Sequence, residues 1–110
     1  SHEELIEKCN PAERFVLCTN DLIGQVQNGG FAQWKGNNYA TKETVNYMLF
    51  LTQHMGTPAA IKVHKLLLEF RRARHQSTYD KLDKQFYDLD DAFMDECQKY
   101  LRQMPRQKEC

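Results

Sequence analysis

From Phe15 to Met104 the apolar residues return every three or four positions, and no segment alternates apolar with polar. That spacing gathers them on one stripe of an α-helix but would scatter them over both faces of a strand. Phe15, Cys18, Leu22 and Val26 make the first stripe, with Ile23 beside them. Val45, Met48, Leu49 and Thr52 make the second. Ala59, Val63, Leu66, Phe70 and Ala73 make the third, widened by Ile61, Leu67 and Leu68. Leu82, Phe86, Leu89 and Phe93 follow, and Phe93, Cys97, Tyr100, Leu101 and Met104 line a last one. Runs of β-branched residues in strand-like alternation are missing. The fold class this predicts is all-α: a single compact helical domain of about five helices, with no sheet. The length of 110 residues allows one domain, and a hydrophobic content of 41% supplies a core without a staple.

The polar punctuation between stripes predicts where helices start and stop. Asn10-Pro11 with Glu13 forms an Asn-x-x-Glu capping box with proline at the first helical position. Asn28-Gly29-Gly30 stops that helix, because glycine accepts the left-handed conformation that ends helices. Glu3 to Cys9 predicts a separate helical turn ahead of it. Phe31 to Lys35 predicts one turn launched from the glycine pair, and Gly36-Asn37-Asn38 a loop. Thr41 caps a helix over about Lys42 to Met55, which Gly56 ends. Thr57-Pro58 caps and opens a helix to about Arg74. Ser77 to Asp80 supplies the next cap, Asp88 or Asp90 that of a final helix, and Pro105 closes it. The domain is assigned to residues 1–110, with Ser1-His2 read as a tag-cleavage scar and 105–110 as a flexible tail.

Charge narrows the partners. Fifteen basic residues balance fifteen acidic ones, which disfavours a general nucleic-acid binder and a uniformly acidic chain. The balance is a cancellation between blocks. Residues 62–75 carry a net +4, residues 80–96 a net −5 and residues 97–110 a net +3. Neighbouring helices with complementary faces would account for the pattern, and a charged contact surface is the alternative. Asp88, Asp91 and Asp95 fall on one helix face by spacing, a candidate acidic contact face. The longest apolar run, Tyr47 to Leu51, is far too short to cross a bilayer. Cys9, Cys18, Cys97 and Cys110 show neither a metal-binding nor a secreted-scaffold spacing, so reduced thiols and a cytoplasmic location are expected.

No nucleophile elbow, phosphate-binding loop or zinc-helix motif is present, and His54, His64 and His75 are not spaced as a helical metal pair. No catalytic residue, metal site or cofactor is therefore assigned. One segment stands apart. Asn28, Gly29, Gly30, Phe31, Gln33, Trp34 and Asn37 place two glycines, two large aromatics and three amides within ten residues. They predict a tight corner whose aromatics enter the core and whose amides satisfy loop backbone. The other reading is a binding corner, with Gln33 and Asn37 offering donors and acceptors.

The same residues resemble a signature. Asn28-Gly29-Gly30-Phe31-x-Gln33-Trp34-x-x-Asn37 is similar to the N-G-G-F-x-Q-aromatic stretch of a small bacterial domain-of-unknown-function family related to the DNA-mimic protein nineteen. Met55-Gly56 followed by Ala59-Ala60 resembles that family's hydrophobic-Gly-small run into its next helix. Leu82 to Leu89, with Phe86 and Tyr87, resembles its Leu-Asp-x-x-Phe-Tyr segment. Lys35 stands where the family often carries a second aromatic. The resemblance implies an all-helical fold and DNA mimicry, in which carboxylates imitate phosphates on the DNA-binding face of a regulator.

The function expected is thus a non-enzymatic, cytoplasmic protein-interaction module, acting through the acidic face or the Gly-Gly-Phe corner on a protein partner. A DNA-mimic inhibitor and a weak nucleic-acid-binding domain are the alternatives. Direct nucleic-acid binding and a membrane role are disfavoured, and homo-oligomerisation stays open.

Overall fold

The computed structural model describes residues 9–105, which form five α-helices and, among the described residues, no strand. The helices are α1 Pro11–Gly36, α2 Lys42–Met55, α3 Pro58–Arg72, α4 Gln76–Tyr87 and α5 Asp90–Gln103. Of the helical turn expected over Glu3 to Cys9, all but Cys9 lies outside the described residues, and so do Ser1-His2, read above as a scar, and the tail expected beyond Pro105.

Local chemistry accounts for several ends. Asn10 Oδ1 accepts the Glu13 backbone N–H at 2.8 Å, and Glu13 Oε1 accepts that of Asn10, so the capping box is complete. Thr41 caps α2 through the Thr44 N–H. Gly56 ends α2 in the left-handed conformation, φ +62°. The chain then reverses within two residues, so α2 and α3 form a helical hairpin.

Other ends differ from expectation. α3 stops at Arg72, where Ala73 turns extended, and the Arg74 guanidinium donates to the carbonyls of Arg72 and Ala73. α4 starts at Gln76, one residue before the Ser77–Asp80 cap that the sequence suggested, and its N-cap His75 makes no side-chain cap. α5 starts behind Leu89, so neither Asp88 nor Asp90 is its N-cap. Asp90 is its first residue, with Oδ1 accepting the Asp91 N–H. In both places tertiary packing of Tyr79, Leu82, Phe86 and Phe93, all buried, sets the helix position more strongly than a cap worth about 1 kcal/mol.

α1 bends in its last third. Gly29 (φ −156°, ψ 16°) and Gly30 (φ 80°, ψ 179°) leave helical geometry, and the helix resumes at Phe31. The bend turns Phe31 and Trp34 into the core, where both are completely buried. Phe31 meets Trp34, Phe70 and Phe86 at ring distances of 6.2, 5.4 and 5.7 Å, and Phe70 also meets Trp34 at 5.1 Å. α1, α3 and α4 thus share one aromatic cluster. Leu22, Val26, Met48, Val63, Leu67, Leu82 and Phe93 complete the core from all five helices.

Cys9, Cys18 and Cys97 are thiols rather than disulfides. Burial, reinforced by Asp21, pushes the Cys18 thiol up to about 11. Burial, reinforced by Glu96, takes Cys97 to about 12. Both act as small hydrophobes. No described helix is long and apolar enough to cross a membrane.

Candidate functional site

The bend in α1 is held from a distance. After Gly30 the helix restarts, so the first N–H groups of the new segment lack carbonyl partners. Asp83, in the middle of α4, supplies one: its Oδ1 accepts the Phe31 N–H at 2.8 Å. This carboxylate lies so close that a Cβ on Gly30 would sit 2.2 Å from Asp83 Oδ2. Burial raises the Asp83 pKa above its ordinary value. The Phe31 hydrogen bond opposes that rise, and Asp80 adds to it.

Two further contacts tie the same regions. Tyr87 Oη donates to the Val26 carbonyl at 3.0 Å, and Gln27 Nε2 donates to Asp90 Oδ2 at 3.2 Å. A carbonyl stranded by the bend is therefore taken up by a phenol from the end of α4. The amides bridge the bend along α1 itself. Gln25 Oε1 accepts from Gln33 Nε2 at 3.1 Å and from Asn37 Nδ2 at 2.9 Å. Gln33 is half-buried, whereas Asn28, Gly29 and Asn37 are exposed and Gly30 is buried. The aromatics of the corner are core, so what it presents to solvent is Asn28, Gly29 and Asn37.

The acidic stretch is partitioned by use. Asp83 holds the bend. Glu96 reaches from α5 to the start of α3, where its carboxylate accepts the N–H groups of Ala59 and Ala60 at 2.9 Å each and the Thr57 hydroxyl. Thr57 occupies the N-cap but its side chain does not cap α3, because Glu96 takes that role. Asp90 bonds Gln27, Asp80 accepts from Gln76, and Asp95 pairs with Lys99 one turn on at 3.0 Å. That ion pair lies within α5, and the basic 62–75 block shows no such pair with the acidic stretch among the described residues. Asp88 and Asp91 are exposed and have no side-chain partner among the described residues.

The structure corrects one grouping. Asp91 and Asp95 lie on α5, but Asp88 ends α4 and stands in the junction between the helices. The three acids do not share one helix face, because Asp88 and Leu89 are a turn and not part of α5. The structure instead joins two candidates that the sequence kept apart. Through Asp83, Tyr87 and Asp90 the Gly-Gly-Phe corner and the α4–α5 junction become one continuous region.

Among the described residues no three His, Cys, Asp or Glu side chains are grouped to hold a metal ion. Half-buried His64 meets the Thr52 hydroxyl at 2.9 Å through Nδ1. That hydroxyl also lies 2.8 Å from the Met48 carbonyl, which takes its proton and leaves Nδ1–H as the donor to Thr52. His54 stacks on Phe50, and His75 precedes α4. Among the described residues the three histidines thus have separate surroundings, and none is bonded to the corner.

Asp83 and Glu96 are the residues that sequence reasoning missed as organisers. Asp83 had a signal, since it is the Asp of the Leu-Asp-x-x-Phe-Tyr segment. Glu96 had none, because its partners are two backbone N–H groups and one hydroxyl far along the chain, a contact that leaves no mark in a sequence.

The two motifs that meet at the bend define a helical domain organised around an N-G-G-F corner. The chain matches the family of DMP19-like proteins over residues 7–104, and it belongs to that family. No curated protein and no solved structure gives a match.

Proposed function

We propose that this chain is a non-enzymatic protein-interaction module that engages a basic surface of a protein partner through the α4–α5 junction. The contact residues are Asp88 and Asp91, with exposed Tyr87 between them and the corner, and Asn28 at the edge. The observation that supports this most is the division of labour among the acids. Asp83, Asp90 and Glu96 are committed to internal hydrogen bonds. Asp88 and Asp91 hold no such bond and lie exposed at the junction that half-exposed Tyr87 leads into. Unpaired carboxylates on the same junction as an exposed aromatic suit a basic partner, for steering and for an anchored contact. The bend fixes the site by clamping Val26 and Gln27 to Tyr87 and Asp90.

Family membership favours a second reading, a DNA-mimic inhibitor in which these carboxylates stand in for phosphates on a regulator. Few acids remain unused, so such mimicry would cover a short stretch of a DNA site. A cytoplasmic partner fits the thiol chemistry.

The test is affinity capture from the native host with the wild-type chain and an Asp88→Lys/Asp91→Lys variant of equal thermal stability. A partner retained by the wild type, lost with the variant and released by added duplex DNA supports mimicry. Loss with the variant but no release by DNA supports the broader interaction reading. Equal retention by both proteins places the contact elsewhere and refutes the site.

A further inference from the structure

A cavity of about 220 Å³ opens at the free end of the α2–α3 hairpin, where the end of α1 crosses it. Four cations line it: Lys35 from α1, Lys42 from the first turn of α2, Arg71 from the last turn of α3, and Arg74 just beyond. Val45 and Phe70, both buried in the core, contribute apolar walls. Among the described residues no carboxylate lines it. Glu43 and Glu69, the acids nearest along the chain, are not in its walls.

Such a concentration of one sign is unusual in a chain whose charges sum to zero. A concave, partly apolar wall strengthens the field its charges produce. Two of the cations are anchored. Lys35 Nζ bonds Tyr79 Oη at 3.1 Å, and the Arg74 guanidinium bonds the carbonyls of Arg72 and Ala73 at 3.3 and 3.2 Å. The Arg74 contacts also occupy carbonyls at the negative end of α3, which would otherwise repel an anion. Lys42 and Arg71 are exposed at the mouth.

We propose that this cavity binds a small organic phosphate. The dianion is held by Lys42, Arg71 and Arg74, and the organic group lies against Val45 and Phe70. A dianion uses several cations better than a carboxylate, and arginine offers it paired donors. The small volume suits one phosphate group rather than the track of a nucleic-acid backbone, which needs an extended row of contacts. The site lies by the start of α4, away from the α4–α5 junction, so it stands independently of the partner contact.

The test is isothermal titration calorimetry of the full chain with phenyl phosphate, inorganic phosphate, benzoate and random-sequence duplex DNA. Phenyl phosphate binds at one site per chain, more tightly than either inorganic phosphate or benzoate. Lys42→Gln/Arg71→Gln weakens that binding about tenfold or more, with the melting temperature unchanged. Should this variant be unstable, Lys42→Gln alone is read, with a smaller loss expected. The absence of phenyl phosphate binding overturns the proposal, as does binding that the substitutions leave unchanged. Equal affinity for inorganic phosphate removes the apolar wall from recognition and overturns the organic-phosphate assignment. Binding of duplex DNA without binding of the small phosphates assigns the surface to nucleic acid instead.

Discussion

Gly30→Ala puts the corner to its most direct test. The residue sits at φ 80°, ψ 179°, a region open essentially to glycine alone, so any side chain there costs about 1–3 kcal/mol in backbone strain. The added Cβ would also stand 2.2 Å from Asp83 Oδ2 and push the carboxylate away. Phe31 N–H then loses a charge-assisted bond worth about 1.5–3 kcal/mol. Together the loss is about 3–6 kcal/mol, a large share of a stability of about 5–15 kcal/mol. Urea unfolding followed by circular dichroism measures it. The two contributions separate in a double-mutant cycle with Asp83→Ala, because without the carboxylate Gly30→Ala retains only the strain. The two substitutions together should therefore cost about 1.5–3 kcal/mol less than the sum of the singles. A Gly30→Ala protein within about 0.5 kcal/mol of wild type, or strictly additive losses, would refute the reasoning.

Three further outcomes follow from the same contacts. Glu96→Ala strands the Ala59 and Ala60 N–H groups and should lower stability by about 2–3 kcal/mol, more than Thr57→Val does, in the same urea assay. The Asp83 pKa is raised in the folded state, so its contribution favours folding when protonated and is lost as pH rises from the ordinary carboxylate range through the raised value. Stability measured across that range should fall for the wild type relative to Asp83→Asn; the opposite slope would contradict the burial argument. Cys18 and Cys97, at about 11 and 12, should resist thiol reagents near neutral pH until the chain is unfolded, as peptide mass spectrometry of labelled protein would show.

What the sequence made legible is the chemistry that acts within one or two helical turns. The Asn10–Glu13 box, Thr41 and the left-handed Gly56 work through neighbours three or four residues away, and each is where its residue type places it. Phe31 and Trp34, three residues apart beside the glycine pair, were legible as core residues for the same reason. The start of α4 and the start of α5 were misplaced because Ser, Thr and Asp side chains near them advertise caps that tertiary packing leaves unused. Asp88 was grouped with Asp91 and Asp95 on the assumption of a continuous helix, and the turn at Asp88-Leu89 breaks that register. Asp83 and Glu96 act across 52 and about 36 residues, on backbone N–H groups that every residue but proline possesses. No periodicity encodes such a contact. The corner was therefore visible as a feature while its fastening to α4 was not.

That fastening has a consequence for the order of events as the chain is made. The bend is written near residue 30, but the groups that secure it, Asp83 and Tyr87, come more than fifty residues later. The start of α3 likewise waits for Glu96. A ribosome-bound chain that has emerged only as far as α3 holds the α2–α3 hairpin but neither latch. Its N-terminal helix has no reason to keep its angle, and Phe31 lacks the floor that Phe86 of α4 provides. The C-terminal third thus closes the molecule, and folding should be all-or-none upon its arrival rather than helix by helix.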